Sequence, residues 1–114
     1  MSDCIFCKIV KGEIPCDKVY EDDKILVFHD IEPEAPVHVL IIPKTHISTL
    51  NDIKEGNSRV ISHIFEKIPE IANDLGVDES GYRVVSNCGK DAVQTVDHIH
   101  FHLLAKRTLK WPPG

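Results

Sequence analysis

The segment Val-Asp-His-Ile-His-Phe-His-Leu-Leu at residues 96–104 constrains the fold of this chain more than any other feature. In an extended strand, side chains alternate between the two faces with a period of two. The alternation therefore predicts three imidazoles on one face and three apolar side chains on the core face. The imidazoles belong to His98, His100 and His102, and the apolar side chains to Ile99, Phe101 and Leu103. Near neutral pH each imidazole can serve as nucleophile, acid, base or metal ligand.

Two kinds of chemistry fit such a row of imidazoles. Three histidines can hold a catalytic zinc ion with an open position for water. Alternatively, one ring can attack phosphorus covalently while a neighbouring ring stabilises the developing charge. The spacing alone does not distinguish the two. An ordinary polar strand face is the third interpretation, but it would not require such regular apolar residues in between.

Composition limits the remaining classes of function. A chain of 114 residues with 42% hydrophobic and 27% charged residues is expected to form one soluble domain, 1–114. The net charge is −5 and no run of basic residues stands out, which argues against a nucleic-acid polymer as partner. No stretch is long and apolar enough for a membrane span. The N-terminus, Met1 to Cys4, lacks the basic and apolar regions of a signal peptide, so we expect a cytoplasmic protein.

The hydrophobic pattern predicts an α+β fold with a mainly antiparallel five-stranded sheet, one short helix and one long helix. The short helix is expected at 4–10, before Gly12. The long helix is expected at 58–75, with Asn57 or Ser58 as its N-cap and a kink or a break at Pro69. Strands are expected at 19–21, 24–30, 37–42, 82–86 and 96–104.

The four cysteines are not expected to form a disulfide framework in a cytoplasmic protein. Cys4 and Cys7 form a CxxC pair, which could be half of a zinc site, a redox pair, or two core thiols around a turn. Cys16 and Cys88 have no partner at motif spacing and are expected to fill apolar space.

The pattern His-φ-His-φ-His-φ-φ, where φ is an apolar residue, resembles the histidine triad (HIT) superfamily. Other segments resemble its Hint branch, the nucleoside phosphoramidate hydrolases, in the order in which they occur along the chain. They include Cys-Ile-Phe-Cys-Lys-Ile at 4–9, Gly-Glu-Ile-Pro at 12–15, Phe-His-Asp-Ile at 28–31, Ile-Pro-Lys-Thr-His-Ile-Ser at 42–48, Gly-Tyr-Arg at 81–83 and Trp-Pro-Pro-Gly at 111–114.

The resemblance implies covalent catalysis. His100 would attack the α-phosphorus of a purine nucleoside phosphoramidate, and water would then release the nucleoside monophosphate. His102 would donate to a non-bridging oxygen, and His98 would support the neighbouring rings.

The resemblance also implies the nucleotide contacts. Asp30 would bind the ribose hydroxyls. An apolar base pocket would be formed by Phe6, Ile9, Phe28, His29 and Ile31, although the same residues could simply pack in the core. Phosphate-loop positions correspond to Asn87, Val93, Gln94 and Thr95.

Two departures from the related sequences affect glycine pairs. Ala92-Val93 and Ala105-Lys106 occupy positions where Gly-Gly is common. Because valine disfavours positive φ, the Val93 amide is expected to approach a phosphate less closely.

Zinc and a dimer are further implications of the resemblance. Cys4, Cys7, His46 and His98 would form a closed structural zinc site, and the alternative is free thiols with His46 near the active site. A two-fold homodimer would bring Trp111 toward the partner's substrate pocket. His38 and His63 match no motif and are expected on the surface, on a strand and on a helix respectively.

Three functions remain as rivals to the phosphoramidate hydrolase. They are a dinucleoside polyphosphate hydrolase, a nucleotide-binding regulatory protein with little catalytic role, and a three-histidine catalytic zinc enzyme.

Overall fold

The structure is a computed structural model that describes residues 3–114. Met1 and Ser2, which belong to the segment used above to predict that no signal peptide is present, lie outside the described residues. The elements are α1 (Ile5–Val10), β1 (Lys18–Glu21), β2 (Ile25–His29), β3 (Val37–Pro43), a short 3₁₀ turn (Leu50–Asp52), α2 (Ser58–Asp74), β4 (Tyr82–Val85) and β5 (Phe101–Ala105).

The five strands form one antiparallel sheet in the order β1-β2-β3-β5-β4. This confirms the predicted α+β fold, including the antiparallel pairing of the last two strands. β5 lies inside the sheet, between β3 and β4, whereas β4 forms an edge. The strand that carries His102 therefore has a neighbour on each side.

The two helices cover opposite faces of the sheet. The larger core packs α2 residues such as Ile64 and Ile68 against Val27, Val39 and Leu103. The smaller core, on the other face, packs α1 against β2 and β3. Its buried members are Phe6, Leu26, Phe28, Leu40 and Ile42. Leu40 is paired with His102, so the side chain of His102 faces the α1 side.

The histidine strand begins later than the pattern predicts, at Phe101 instead of residue 96. The Ile99 amide donates to the Ile47 carbonyl at 2.6 Å, and the Ser86 hydroxyl donates to the His100 carbonyl at 3.2 Å. The Ile99 amide and the His100 carbonyl therefore form hydrogen bonds that do not belong to the pairing of β5 with its neighbouring strands. Of the three histidines His98, His100 and His102, only His102 belongs to β5. From Phe101 onward, burial alternates as predicted.

The long helix runs without a break from Ser58 to Asp74, with Pro69 inside it, so a split at the proline was the wrong alternative. Asn57 occupies the N-cap position, but its side chain does not cap the helix. It accepts a hydrogen bond from the Lys54 amide at 2.8 Å and donates to the Asp52 carbonyl at 3.1 Å. Asn57 thus fixes the preceding turn. In residues 3–114 no helix combines the length and apolarity that crossing a membrane requires.

Candidate functional site

His100 is held in a single tautomer by the backbone. Its side chain is buried, and its Nδ1 lies 2.8 Å from the carbonyl oxygen of His98. A carbonyl only accepts hydrogen bonds, so Nδ1 must carry the proton. In the neutral ring, Nε2 then keeps a free lone pair. Phe6 packs edge-on against this ring, with the ring centroids 5.2 Å apart.

His102 is held in the opposite tautomer by a chain of hydrogen bonds that begins at a backbone amide. The Glu34 amide donates to Nδ1 of His38 at 3.0 Å, so neutral His38 carries its proton on Nε2. That atom lies 2.9 Å from Nδ1 of His102 and donates to it. His102 therefore carries its own proton on Nε2. This atom is buried and has no hydrogen-bond partner within the described part of the chain.

His38 was wrongly predicted to lie on a strand surface. It is only 5% exposed, on the same face of β3 as Leu40, and its ring centroid lies 5.1 Å from that of His102. No motif contains His38. Only the pairing of β3 with β5 brings it beside His102, so its role depends on a register that sequence spacing does not give.

Burial keeps the rings of His38 and His102 neutral. Burial lowers the pKa of His38. Burial, together with repulsion from His100 and His38, lowers the pKa of His102 to about 4. At neutral pH both rings are uncharged, as the tautomer chain requires.

Asp30 lies beside this chain. Its Oδ2 is 3.4 Å from Nε2 of His38, and its Oδ1 accepts a hydrogen bond from the Glu32 amide at 2.8 Å. The ligand atoms of Asp30, His38 and His102 all lie within 4.8 Å of one another, as they would around a metal ion. A metal on Nε2 of His38 would leave that ring without a proton, because Nδ1 already accepts from Glu34. The trio therefore suits a hydrogen-bond chain better than a metal.

A second cluster has the composition of a zinc site. The Sγ atoms of Cys4 and Cys7 and the Nδ1 atoms of His46 and His98 all lie within 4.8 Å of one another. Sulfur–nitrogen distances are 3.3 Å for Cys4–His98, 3.3 Å for Cys7–His46 and 3.7 Å for Cys7–His98. Tetrahedral zinc with ordinary bond lengths requires about 3.6 Å between such atoms. The four residues therefore fit this ion.

The ring of His98 is turned toward this cluster by a backbone contact. Its Nε2 donates to the Pro43 carbonyl at 2.8 Å, which leaves the Nδ1 lone pair directed at the thiols. Burial lowers the pKa of His98 to about 4, outweighing that hydrogen bond. Burial and the neighbouring Cys4 raise the pKa of the Cys7 thiol. A bound metal would remove this thiol proton.

The predicted base-pocket residues fall into two groups. Phe6 and Phe28 are buried and pack edge-to-face at 5.8 Å, and Ile9 packs against the same cluster. These three residues contribute to the smaller core, and their contact with a base stays a prediction. Ile31 is 95% exposed and His29 is half-buried, so these two can still contact a ligand.

Gln94 stabilises the predicted phosphate loop through hydrogen bonds of its side-chain amide. Its amide nitrogen donates to the carbonyls of Ser48 and Val96, and its amide oxygen accepts from the Gly89 amide. Gln94 is thus occupied in holding the loop. Thr95 is exposed and lines a cavity of about 360 Å³ beside Cys4 and His46. Asn87 is half-buried, on the stretch that follows β4.

One residue of each glycine-replacing pair keeps a glycine-like backbone. Val93 has φ +59° and Lys106 has φ +74°, and these are the only non-glycine residues with positive φ in the described chain. Valine thus adopts the positive φ that its side chain disfavours, and how closely its amide approaches a phosphate stays a prediction. The Val93 amide donates to the Lys90 carbonyl at 3.1 Å, which stabilises the turn. Strain of this kind is typical of functional loops.

Trp111 is 80% exposed, and within one chain the Arg83 guanidinium lies 5.9 Å from its ring. His63 is more than a surface residue, because its Nε2 lies 2.7 Å from a carboxylate oxygen of Asp22 in the turn before β2. The contact joins α2 to that turn and involves none of His38, His98, His100 and His102.

Comparison with protein families matches residues 3–110 to the family described as "Scavenger mRNA decapping enzyme C-term binding". Among curated relatives, an uncharacterized HIT-like protein of Synechococcus elongatus is 47% identical over 112 residues, covering 98% of this chain and 97% of its own. A 14 kDa zinc-binding protein of Zea mays is 45% identical over 115 residues, covering 99% of this chain and 89% of its own.

Solved structures agree closely with the fold. A HIT family hydrolase from Legionella pneumophila superposes with a TM-score of 0.95 at 48% identity, covering 98% of this chain and 100% of its own. A histidine triad nucleotide-binding protein from Candida albicans gives a TM-score of 0.81 at 45% identity, covering 89% of this chain and 73% of its own.

Proposed function

The chain belongs to the histidine triad (HIT) family, and from this membership we propose that it is a nucleotide hydrolase of the Hint branch. As a single domain it would cleave purine nucleoside phosphoramidates, or related nucleotidyl compounds, to the nucleoside monophosphate. The relatives named a hydrolase and a nucleotide-binding protein support this reaction class.

The observation that carries the proposal is the pair of opposite tautomers in neighbouring rings. His100 presents a lone pair on Nε2, and His102 presents a proton on Nε2, with the ring centroids 5.1 Å apart. One ring can therefore donate electrons to phosphorus while the other donates a hydrogen bond to a phosphoryl oxygen. A buried donor without a partner costs stability unless a ligand supplies the acceptor, which a phosphate oxygen does.

In the first step, the lone pair of His100 Nε2 forms a bond to the α-phosphorus. The phosphorus–nitrogen bond to the leaving group breaks, and the departing amine takes its electron pair and a proton from solvent. Thr95 would donate to the leaving atom, as the family resemblance implies. The nucleotidyl-histidine retains the Nδ1 proton, which the His98 carbonyl holds while the ring becomes positively charged.

In the second step, water attacks the same phosphorus and releases one proton to solvent, and the bond to Nε2 breaks with its electron pair returning to the ring. The products are the nucleoside monophosphate and the neutral ring of His100. His102 donates to a phosphoryl oxygen throughout, and its low pKa keeps it a neutral donor.

Nucleotide contacts follow the same assignment. Asp30 would accept from the ribose hydroxyls, with His29 and Ile31 beside the base and Asn87 and Val93 beside the phosphate. Trp111 would act from the partner subunit of a two-fold homodimer. Light scattering at micromolar concentration tests the dimer, and a monomer would overturn it.

Zinc would be held by Cys4, Cys7, His46 and His98, and the zinc-binding name of the Zea mays relative supports this assignment. A bound zinc ion at this closed set would supply structural cross-linking of α1 to the segments around His46 and His98. In this assignment the zinc ion is structural, and His100 and His102 perform the reaction.

A chemical quench with radiolabelled adenosine phosphoramidate tests the function. The parent protein is expected to acquire acid-labile label, and His100→Asn is expected to acquire none while still binding adenosine monophosphate. Label and parental turnover in the His100 variant would contradict the mechanism. Parallel assays with a diadenosine polyphosphate identify the rival hydrolase if that compound is the better substrate.

A further inference from the structure

The ring of Phe6 packs against the proposed nucleophile, His100. Its centroid lies 5.2 Å from that of His100 and 5.7 Å from that of His98, and it is nearly perpendicular to both rings, at 83° and 79°. Within residues 3–114, no other phenylalanine, tyrosine or tryptophan ring packs against either histidine. Phe6 comes from α1, at the other end of the chain from the histidine motif.

The smaller core leaves Phe6 little room to move away from His100. Phe28 packs against Phe6 with the ring centroids 5.8 Å apart, and Leu26 and Ile42 belong to the same core. Only 5% of Phe6 is exposed, so most of its surface contacts protein. Because protein interiors are closely packed and hardly compressible, Phe6 is a rigid neighbour of the His100 ring.

The hydrogen bond of His100 does not by itself fix the direction of the attacking lone pair. Nδ1 is held 2.8 Å from the His98 carbonyl, but a tilt of the ring about this bond still moves Nε2. The second side-chain torsion of histidine is intrinsically broad, so packing has to restrict the tilt. Phe6 and His102 both pack on the ring, with centroids 5.2 and 5.1 Å away. Phe6 has no polar group and acts on His100 by packing alone.

The direction of this lone pair affects the proposed first step. Displacement at phosphorus needs the attacking atom, the phosphorus and the leaving atom roughly in line. A misplacement of about 1 Å can cost about 10²-fold in rate. A side chain that holds the imidazole in the reactive orientation therefore raises kcat without touching the substrate.

We propose that Phe6 is a positioning residue for His100, whose packing fixes the tilt of the imidazole so that the Nε2 lone pair points at the α-phosphorus. The inference rests on the proposed function and adds to it a residue that acts through the nucleophile. The base contact implied by the family resemblance is the other role for Phe6, and its loss would mainly weaken nucleotide binding. The two roles differ in whether kcat or nucleotide affinity changes.

Phe6→Leu separates the two roles, because it keeps an apolar side chain in the core but removes the flat ring beside His100. We expect kcat for adenosine phosphoramidate, and the rate at which label is acquired, to fall about 10- to 100-fold as the lone pair loses its alignment. The Kd of adenosine monophosphate, measured by calorimetry, should stay close to the parental value. Phe6→Met, whose flexible side chain fills irregular gaps, gives the same comparison if the leucine variant does not fold.

Leu26→Val is the matched control. Leu26 is buried in the same core, but it lies on β2, which β3 separates from β5. The variant removes packing from that core and should lower Tm while kcat stays near the parental value. A loss of kcat as large as that in Phe6→Leu would mean that general loosening of the core is the cause, and it would overturn the positioning role.

NMR of the His100 ring gives a readout that does not depend on turnover. The Nδ1–H proton donates to the His98 carbonyl, so we expect it to exchange slowly with water in the parent. Phe6→Leu should speed this exchange severalfold, because a ring that tilts more freely breaks the bond more often. Leu26→Val should leave the exchange rate unchanged.

Unchanged kcat with unchanged exchange in Phe6→Leu would contradict the proposal. Weaker binding of adenosine monophosphate with unchanged kcat would also contradict it and would identify a base contact. If the parent acquires no label but exchange at His100 still quickens in Phe6→Leu and not in Leu26→Val, the proposed reaction fails, whereas the packing of Phe6 still fixes the ring. Label acquired at the parental rate in Phe6→Leu counts against the positioning role alone.

Discussion

Nε2 of His38 lies 2.9 Å from Nδ1 of His102, and this contact sets which nitrogen of His102 carries its proton. The backbone amide of Glu34 sets the tautomer of His38 in turn. A structural feature outside the triad thus determines whether the last triad ring presents a donor to the substrate.

Replacing His38 should therefore alter His102. In His38→Leu, Nδ1 of His102 loses its donor, so the proton on Nε2 is no longer favoured. We expect kcat to fall about 10- to 100-fold, because a positioned donor contributes on the order of 10²–10³ in rate and would be only partly lost. Nitrogen NMR of the His102 ring reports the tautomer directly.

His38→Gln is the matched control, because its amide can still donate toward His102. It should keep most of the activity and of the Nε2–H signal. If both variants lose activity equally while the His102 tautomer stays unchanged, His38 has only a packing role.

Removing the thiols should remove the metal. Cys4→Ser with Cys7→Ser is expected to abolish bound zinc by elemental analysis and to lower Tm, because the ion joins α1 to distant segments. Activity should remain substantial wherever the fold survives. Cys88→Ser, which leaves the cluster intact, should keep the zinc. A parent protein prepared without chelators that contains no zinc would contradict this site.

Val93→Gly should stabilise the protein slightly. A side chain in the left-handed region costs roughly 1–2 kcal/mol, and glycine's greater chain entropy offsets about 0.5–1 kcal/mol of that. We expect the free energy of unfolding in urea to rise by up to about 1 kcal/mol. Ala92→Gly, at an exposed neighbour without positive φ, should instead lower it. A loss of stability in Val93→Gly would mean that the valine side chain stabilises the loop.

How far the sequence predicts this structure depends on whether a feature is local. Alternation and helical periodicity are local, and they predict five strands, both helices and the face of His102. The start of β5 is not local, because Ile47 and Ser86 bond the backbone of residues 99 and 100 away from the ladder. The unbroken helix at Pro69 likewise follows from packing of α2 on the sheet rather than from propensity.

The site divides in the same way. The cluster of Cys4, Cys7, His46 and His98 was predicted through a family resemblance, and the structure brings its ligand atoms together. His38 was missed because its partner is 64 residues away. The conformation of Val93 could not be read from its type, since valine disfavours the φ that it adopts.

Acid should destabilise the protein in a defined window. The pKa of His102 is about 4 in the folded chain, below the ordinary value of 6.5, and that of His38 is also lowered. Well above pH 6.5 both rings are neutral in either state. As pH falls from about 6.5 toward 4, the unfolded chain gains a proton at His102 that the folded chain does not, so stability falls by up to about 1.4 kcal/mol per pH unit for that ring, and His38 acts in the same direction.

Urea unfolding at pH 7.5, 6, 5 and 4 measures this slope, and His102→Asn should flatten it by about one proton. The Asp22 carboxylate affects stability at lower pH than the histidines do. Although burial raises its pKa, hydrogen bonds from His63 and neighbouring groups hold that pKa well below the usual range. Its contribution is lost only below about pH 4. An unchanged slope in the His102 variant would mean that this ring is not the group responsible.

A double-mutant cycle between His38 and His102 tests the hydrogen-bond chain as a unit. If His38 acts only by orienting the proton of His102, its loss should matter only while His102 is present. We expect His102→Ala to lower the rate of label formation by about 10²–10³ without abolishing it, since His100 still attacks. Adding His38→Leu to that variant should cost no further activity, so the two effects should be strongly non-additive. Measured label formation that falls by the product of the two single effects would show that the histidines contribute independently and that the chain from Glu34 to the substrate does not operate.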